Sequence, residues 1–391
     1  MQGLLYFGRM RAISASLLVT FLVACGGGSE VDPKADISRV VVVGDSLSDV
    51  GAYGGMKFTI QNATNPSAGY PVWTQLTENA YGLDGSAQCN HYAWDGADIN
   101  NPTFAVASTS CTNYAIGGGR IHVPGQAANE RNVGVQLAKH VSAGDFSAND
   151  LLLIDGGGND LADLVGLYLG ATDNAGQAAF AGFITRLVDA TTFGTLMATP
   201  NTGPALAAGA YMTALASEYY QSISTLALAN GAKHVLILNV PDITLTPRFQ
   251  AVLYGVTQQL GAPAAAQIKA AIQGWARAFN AELAALAAGD SRVAIADFYT
   301  DFSDQIANPS SYGITNATDA ACPVVGADSQ GLPLYDFPTC ADLALDSDTS
   351  NGRTPGWWQT YAFSDGFHPT PKGHQLLAAS VARALARAGW L

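Results

Sequence analysis

The chain has 391 residues, 31 of them acidic against 18 basic, for a formal net charge of −13; 48% are hydrophobic and 13% charged. This excludes an intrinsically disordered chain, which would be polar and highly charged, and no fixed-period repeat marks a solenoid or propeller. The acidic balance argues against nucleic acid as a partner and gives no electrostatic attraction to an anionic membrane.

Residues 1–24 hold Arg9 and Arg11, no acid, and an apolar run ending Leu22-Val23-Ala24-Cys25. The run is too short for a comfortable membrane span and reads as a signal peptide. Cys25, followed by Gly26-Gly27-Gly28-Ser29, stands where the bacterial lipobox places its lipidated cysteine. An ordinary cleaved signal is the alternative. The expectation is an exported protein, either anchored in the outer membrane by lipid on Cys25 or secreted. Residues 25–37 would be lipidated Cys and tether, and 38–391 one folded domain. No later run of apolar residues is long enough for an internal span.

Within that domain, short β-branched or leucine-rich runs at 39–43, 151–154, 234–240 and 293–298 read as strands buried on both faces. Ala- and Leu-rich stretches at 205–229, 264–288 and 371–389 read as helices between and after them. The alternation predicts an α/β fold with a mostly parallel sheet. Two long insertions, 56–113 and 309–361, are rich in Asn, Asp, Gly, Pro and Ser and are candidate walls of a substrate site. Their large aromatics (Tyr70, Trp73, Trp94, Tyr312, Trp357 and Trp358) could line such a site, although loop packing explains most of them better.

Four cysteines remain beyond Cys25. Three pairings are open; nearness along the chain favours Cys89–Cys111 and Cys322–Cys340, each contributing about 3 kcal/mol. The absence of C-x-x-C and H-E-x-x-H spacings gives a metal site little weight.

Four blocks can carry chemistry. Gly44-Asp45-Ser46-Leu47-Ser48-Asp49 puts a serine at the end of the first strand, on the edge where open α/β sheets hold ligands. A helix N-cap would also explain a serine there. Because residue 48 is Ser, the block is not the G-x-S-x-G elbow of ordinary α/β-hydrolases. Asn113-Tyr114-Ala115-Ile116-Gly117-Gly118-Gly119 is read as the end of another strand, where glycines let backbone N–H groups approach a ligand. Asp155-Gly156-Gly157-Gly158-Asn159-Asp160 offers a side-chain amide to an oxyanion, or plain turn chemistry. Asp365-Gly366-Phe367-His368-Pro369 sets an acid three residues before a histidine, a spacing that lets the carboxylate fix the imidazole tautomer.

Together, and in this order, the blocks resemble those of the GDSL, or SGNH, hydrolases, over about residues 39–385. Asn239-Val240-Pro241-Asp242 with Thr246-Pro247 is similar to the bacterial extracellular lipase/esterase branch of that family. The resemblance implies a three-layer α/β/α sandwich of flavodoxin-like form and a serine esterase or lipase acting through an acyl-enzyme. It implies Ser46 as nucleophile, His368 as base and Asp365 as its orienting acid. It further implies an oxyanion hole of the Ser46 and Gly118 N–H groups and the Asn159 amide, with Gly117 replacing Gly118 if the register shifts by one. No cofactor is needed. The substrate would be an ester of lipid, acylated glycan or polyester; the oligomeric state is not legible. Two rivals stand beside this reading. One is a non-catalytic lipoprotein binding glycan or lipid in the same cleft. The other is a metal-dependent phosphoesterase using Asp45, Asp49 and Asp160.

Overall fold

Four short runs of Val, Leu and Ile form the centre of the protein in the computed structural model, which describes residues 35–96, 102–123 and 128–391. The signal peptide, Cys25 and nearly all of the tether lie outside the described residues. Arg39–Val43 (β1), Asp150–Ile154 (β2), His234–Leu238 (β3) and Val293–Ala296 (β4) pair in sequence order, all parallel. The helices around them are Trp73–Ala80 (α1), Val133–Ala143 (α2), Gly158–Gly170 (α3), Gly203–Leu226 (α4), Pro247–Leu260 (α5), Ala262–Ala287 (α6), Phe298–Ala307 (α7) and Pro371–Arg387 (α8).

Side chains alternate across a strand, so each run feeds two cores. Val41, Val43, Leu152, Ile154, Val235 and Ile237 pack against Leu137 of α2, Leu161 of α3, Tyr211 of α4 and Phe279 of α6. Val40, Val42, Leu151, Leu153, Leu236 and Leu238 pack against Trp73 of α1, Phe302 of α7 and Leu377 and Val381 of α8. This is the three-layer α/β/α arrangement, and burial on both faces explains why the runs are apolar without alternation. Each fully buried valine of β1 contributes about 1.5–3 kcal/mol.

The last two strands are shorter than their apolar runs. β3 stops at Leu238 because Pro241 has no N–H and both backbone groups of Val240 are taken by Asn280. β4 stops at Ala296 because Asp297 caps α7, accepting from the Thr300 N–H. Residues 113–119 are not a strand, contrary to the sequence expectation. Asn113 makes parallel bridges to Val42 and Asn90, and the N–H groups of Tyr114 and Ile116 reach the carbonyls of Val42 and Gly44, but side chains of Asn90 and Asp49 take the groups between and beyond, so no regular strand forms.

Both expected disulfides are present: Cys89–Cys111 and Cys322–Cys340, each with a Cα–Cα distance of 5.4 Å. Both insertions meet in a third small core of Ile60, Cys322, Phe337, Cys340, Leu345 and Trp358. Among the described residues, no helix is long and apolar enough to cross a membrane.

Candidate active site

The site is built at the carboxyl edge of the sheet, where β1 and β2 end. Gly44 follows β1 and must be glycine: a Cβ there would lie 1.9 Å from the Asp155 Oδ1. Both of its backbone groups are bonded by the buried side chain of Gln136. The Gly44 N–H donates to Oε1 (2.7 Å) and Nε2 donates to the Gly44 carbonyl (3.1 Å). An amide side chain thus does the work of a neighbouring strand, and the chain turns sharply into Asp45 and Ser46.

Ser46 is buried to 4% exposure, and its Oγ lies 2.8 Å from His368 Nε2. His368 Nδ1 lies 2.8 Å from Asp365 Oδ2. The other Asp365 oxygen accepts the N–H groups of Phe367 and His368, at 2.7 and 2.6 Å. Burial alone would raise the Asp365 carboxyl, but the facing imidazole and these donors hold it below the usual carboxylate range. Phe58, Phe337 and Phe367 surround the His368 ring, with centroids 5.2, 5.5 and 5.7 Å away.

The glycine block passes beside Ser46. A Cβ on Gly119 would meet the Gly44 carbonyl at 2.6 Å, so only glycine permits the approach. The Gly117 N–H donates to Asp49 Oδ2 (2.8 Å), which removes it from use. Gly118 is left-handed (φ 76°) and lines the cleft; its N–H and that of Ser46 have no acceptor among the described residues. Of these two glycine N–H groups, only that of Gly118 is left without an acceptor among the described residues. Asn159 stands at the start of α3, its Nδ2 on the Gly119 carbonyl (3.0 Å) and, more loosely, on Asp45 Oδ2 (3.3 Å). Facing two acceptors, this amide nitrogen can only donate.

Buried carboxyls tie these pieces together. Burial, and then the neighbouring Asp45, push Asp155 well above its ordinary value; its side chain accepts the Ser48 hydroxyl and the Asp45 N–H. Asp49 accepts from Gly51, Ala52, Asn90 and Gly117. Asp160 accepts from Ile121 and His122. The carboxylates of the phosphoesterase reading are therefore engaged by backbone and amide donors.

The cleft over Ser46, about 250 Å³, is lined by Phe58, Asn159, Arg248, residues 332–335 and His368, among others. The second insertion supplies much of its wall, and the first supplies Phe58. None of Tyr70, Trp73, Trp94, Tyr312, Trp357 and Trp358 lines it; Trp73 and Trp358 are buried packing residues. Sequence reasoning missed Gln136, Asp155 and Phe337. Gln136 carries no motif, and its only signal is a polar side chain on the apolar face of α2.

The sequence profile of the GDSL-like lipase/acylhydrolase family matches residues 40–381. The chain belongs to this family. GDSL-like lipases/acylhydrolases are hydrolases acting on esters, and the GDSL block of this member is the Ser46 turn just described. A curated Pseudomonas putida protein, named as an uncharacterized protein of the trpE-trpG intergenic region, is 26% identical over 357 residues. That match takes in 87% of this chain and 47% of the relative, so the chain spans about half the relative's length. Two solved structures align at 13% identity. One, from Parabacteroides merdae, carries the name GDSL-like lipase (91% of this chain, 98% of that one, TM-score 0.33). The other, from Chitinophaga pinensis, is named a possible lipase (90% and 99%, TM-score 0.35).

Proposed function

We propose that this GDSL-family member is a serine carboxylic-ester hydrolase that works through an acyl-enzyme. The observation that carries the reading is the continuous chain of contacts Asp365–His368–Ser46 beside two unpaired N–H groups. His368 Nε2 takes the hydroxyl proton as Ser46 Oγ attacks the ester carbonyl, and the ionised Asp365 stabilises the imidazolium. The oxyanion accepts from the Ser46 and Gly118 N–H groups. Asn159 keeps its bond to Gly119 and turns its other hydrogen from the loose Asp45 contact to the oxyanion. The C–O bond to the alcohol breaks, and the alcohol leaves with the proton from His368. Water, deprotonated by the same ring, then attacks the acyl carbonyl and returns Ser46 to its free form. No step asks for a metal or organic cofactor.

The test is turnover of a short-chain aryl ester. Ser46→Ala should lose at least roughly 10⁴-fold in kcat/KM; undiminished turnover would remove Ser46 as nucleophile. We also propose export, with lipid on Cys25 anchoring the domain to a membrane. The supporting signal is the Leu22-Val23-Ala24-Cys25 sequence followed by glycines. Mass spectrometry of the mature N-terminus should find an acylated Cys25; a start elsewhere refutes the anchor. Lipid, acylated glycan and polyester esters all fit the cleft chemistry.

A further inference from the structure

Against the catalytic cleft lies a second cavity of about 60 Å³, several times what one water needs, that the chemistry of Ser46 does not use. Its walls include Leu238, Phe298, Phe302, Ile306, Ile314 and Leu376. The two spaces share a partition one residue thick. Ser46 lines the cleft and Leu47 the chamber; Asn159 lines the cleft and Gly158 the chamber; Pro247 lines the cleft and Thr246 the chamber; Phe367 lines both. Phe367 is half-buried, and its ring touches His368 on one side and Phe249 on the other, with centroids 5.7 and 6.1 Å away. An apolar space thus begins one residue from the nucleophile and one from the base.

The chamber carries one polar side chain with no protein partner among the described residues. Asp45, Asp155, Asn239 and Thr246 also line it, and each is hydrogen-bonded: Asp45 to Leu47, Asp155 to Ser48, Asn239 to Asp297 and Thr246 to Ile243. Gln305 of α7 is 5% exposed, and its side-chain amide has no partner among the described residues. The amide faces a chamber roomy enough for water, so a ligand entering there must replace that water with a donor or acceptor of its own.

We propose that this chamber takes the acyl chain of the ester past Phe367, and that Gln305 hydrogen-bonds an oxygen substituent on that chain. The inference rests on the ester-hydrolase reading and narrows it: the substrate is an ester of a short or medium hydroxylated acyl group. A plain hydrocarbon chain gains the apolar walls but leaves the amide unanswered. A hydroxylated chain satisfies both.

The test uses nitrophenyl esters of acetate, hexanoate and the hydroxyhexanoates with the hydroxyl at successive carbons. The native protein should prefer one hydroxy isomer over hexanoate by roughly tenfold or more in kcat/KM, and Gln305→Leu should bring that ratio close to one. Ile314→Trp, which fills the chamber, should lower the hexanoyl-to-acetyl ratio roughly tenfold. An unchanged hexanoyl-to-acetyl ratio in Ile314→Trp overturns the chamber as acyl site. No preferred isomer, or a preference that survives Gln305→Leu, overturns the role of Gln305. Failure of the native protein on the acetyl ester as well would instead remove the ester-hydrolase reading. A measurement on the native protein guards against a variant that does not fold. With a nitrophenyl hexylphosphonate, the Ser46 Oγ–P bond forms as the P–O bond to nitrophenolate breaks, and His368 takes the serine proton. A crystal structure of the adduct should show the hexyl chain beyond Phe367; a chain lying in the open cleft overturns the proposal.

Discussion

The two halves of the site are held in opposite ways. Ser46, Gly118 and Asn159 stand on turns leaving the sheet region, and buried side chains of Gln136, Asp155 and Asp49 fix those turns from inside the fold. Asp365 and His368 stand on the return from the second insertion, between the strand Tyr361–Phe363 and α8. Their loop is held largely by insertion residues, with one bond from α5: Thr59 donates to the Pro369 carbonyl (3.0 Å), Phe58 and Phe337 flank the ring, and the Arg248 N–H donates to the Gly366 carbonyl (2.7 Å). The proposed nucleophile and oxyanion donors are thus set by the core, and the proposed base mainly by the decoration. Loops that shape a cleft can then change without disturbing the sheet edge, whereas any change at the edge disturbs both fold and chemistry.

Asp365→Asn should give the largest effect that leaves the fold intact. Asn keeps the shape but removes the charge that stabilises the imidazolium, and it favours the wrong tautomer. A loss of roughly 10⁴-fold in kcat is expected, with little change in melting temperature. A loss under roughly tenfold would mean that insertion packing alone orients His368. On the core side, Asn159→Ala should cost roughly 10²–10³ in kcat with KM little changed, because the amide acts on the oxyanion alone. An effect on KM instead would move Asn159 from transition-state donor to substrate contact.

Removing the disulfides tests the contrast directly. Cys322→Ser with Cys340→Ser, and Cys89→Ser with Cys111→Ser, should each destabilise by about 3 kcal/mol, since the loops they close are of similar length. Only the first pair belongs to the small core that carries Phe337 against His368. It should lower kcat severalfold well below the melting temperature, and the second pair should leave kcat near native. Equal losses of kcat would erase the distinction between the halves.

What the sequence made legible follows the same division. Asp365 and His368 are three apart on one turn, so their contact is local and readable without a fold. Ser46 was readable because a buried strand runs straight into it. The disulfide pairs followed from proximity. The layers followed from four apolar runs too uniform for a half-exposed sheet. Residues 113–119 were misread as a strand end because Tyr114-Ala115-Ile116 is apolar. Its bonds to β1 alternate with bonds to side chains, Asp49 and Asn90, supplied from loops some 25 to 70 positions away. Asn159 is legible as an amide donor, but the helix that begins at Gly158 is not: its first turn is carried by glycine, which helix rules penalise. Gln136 was invisible because its role is to bond Gly44, 92 residues away.

The smallest expected effect concerns how the core half holds its charge. Burial pushes the Asp49 carboxyl up to about 6, against 3.8 in its ordinary state, despite the donors around it. Between those values the folded protein keeps a proton that the unfolded chain has released, so stability falls as pH rises through this window and is level above it. Asp160 is also pushed up to about 6 by burial and adds to the same slope. Asp49→Asn removes only the Asp49 part. The variant is less stable throughout, because its amide nitrogen meets N–H donors where a carboxyl accepted them. Its deficit should nevertheless shrink by about 1–3 kcal/mol between about pH 4 and about pH 6.5, read from urea unfolding of both proteins. A deficit that stays constant over this range would mean that Asp49 is already ionised at the acid end. Below about pH 6 the Ser46 and Gly117 turns would then be held together by a buried charge rather than by a neutral acid, and the core half would share the electrostatic character of the Asp365–His368 pair it is contrasted with.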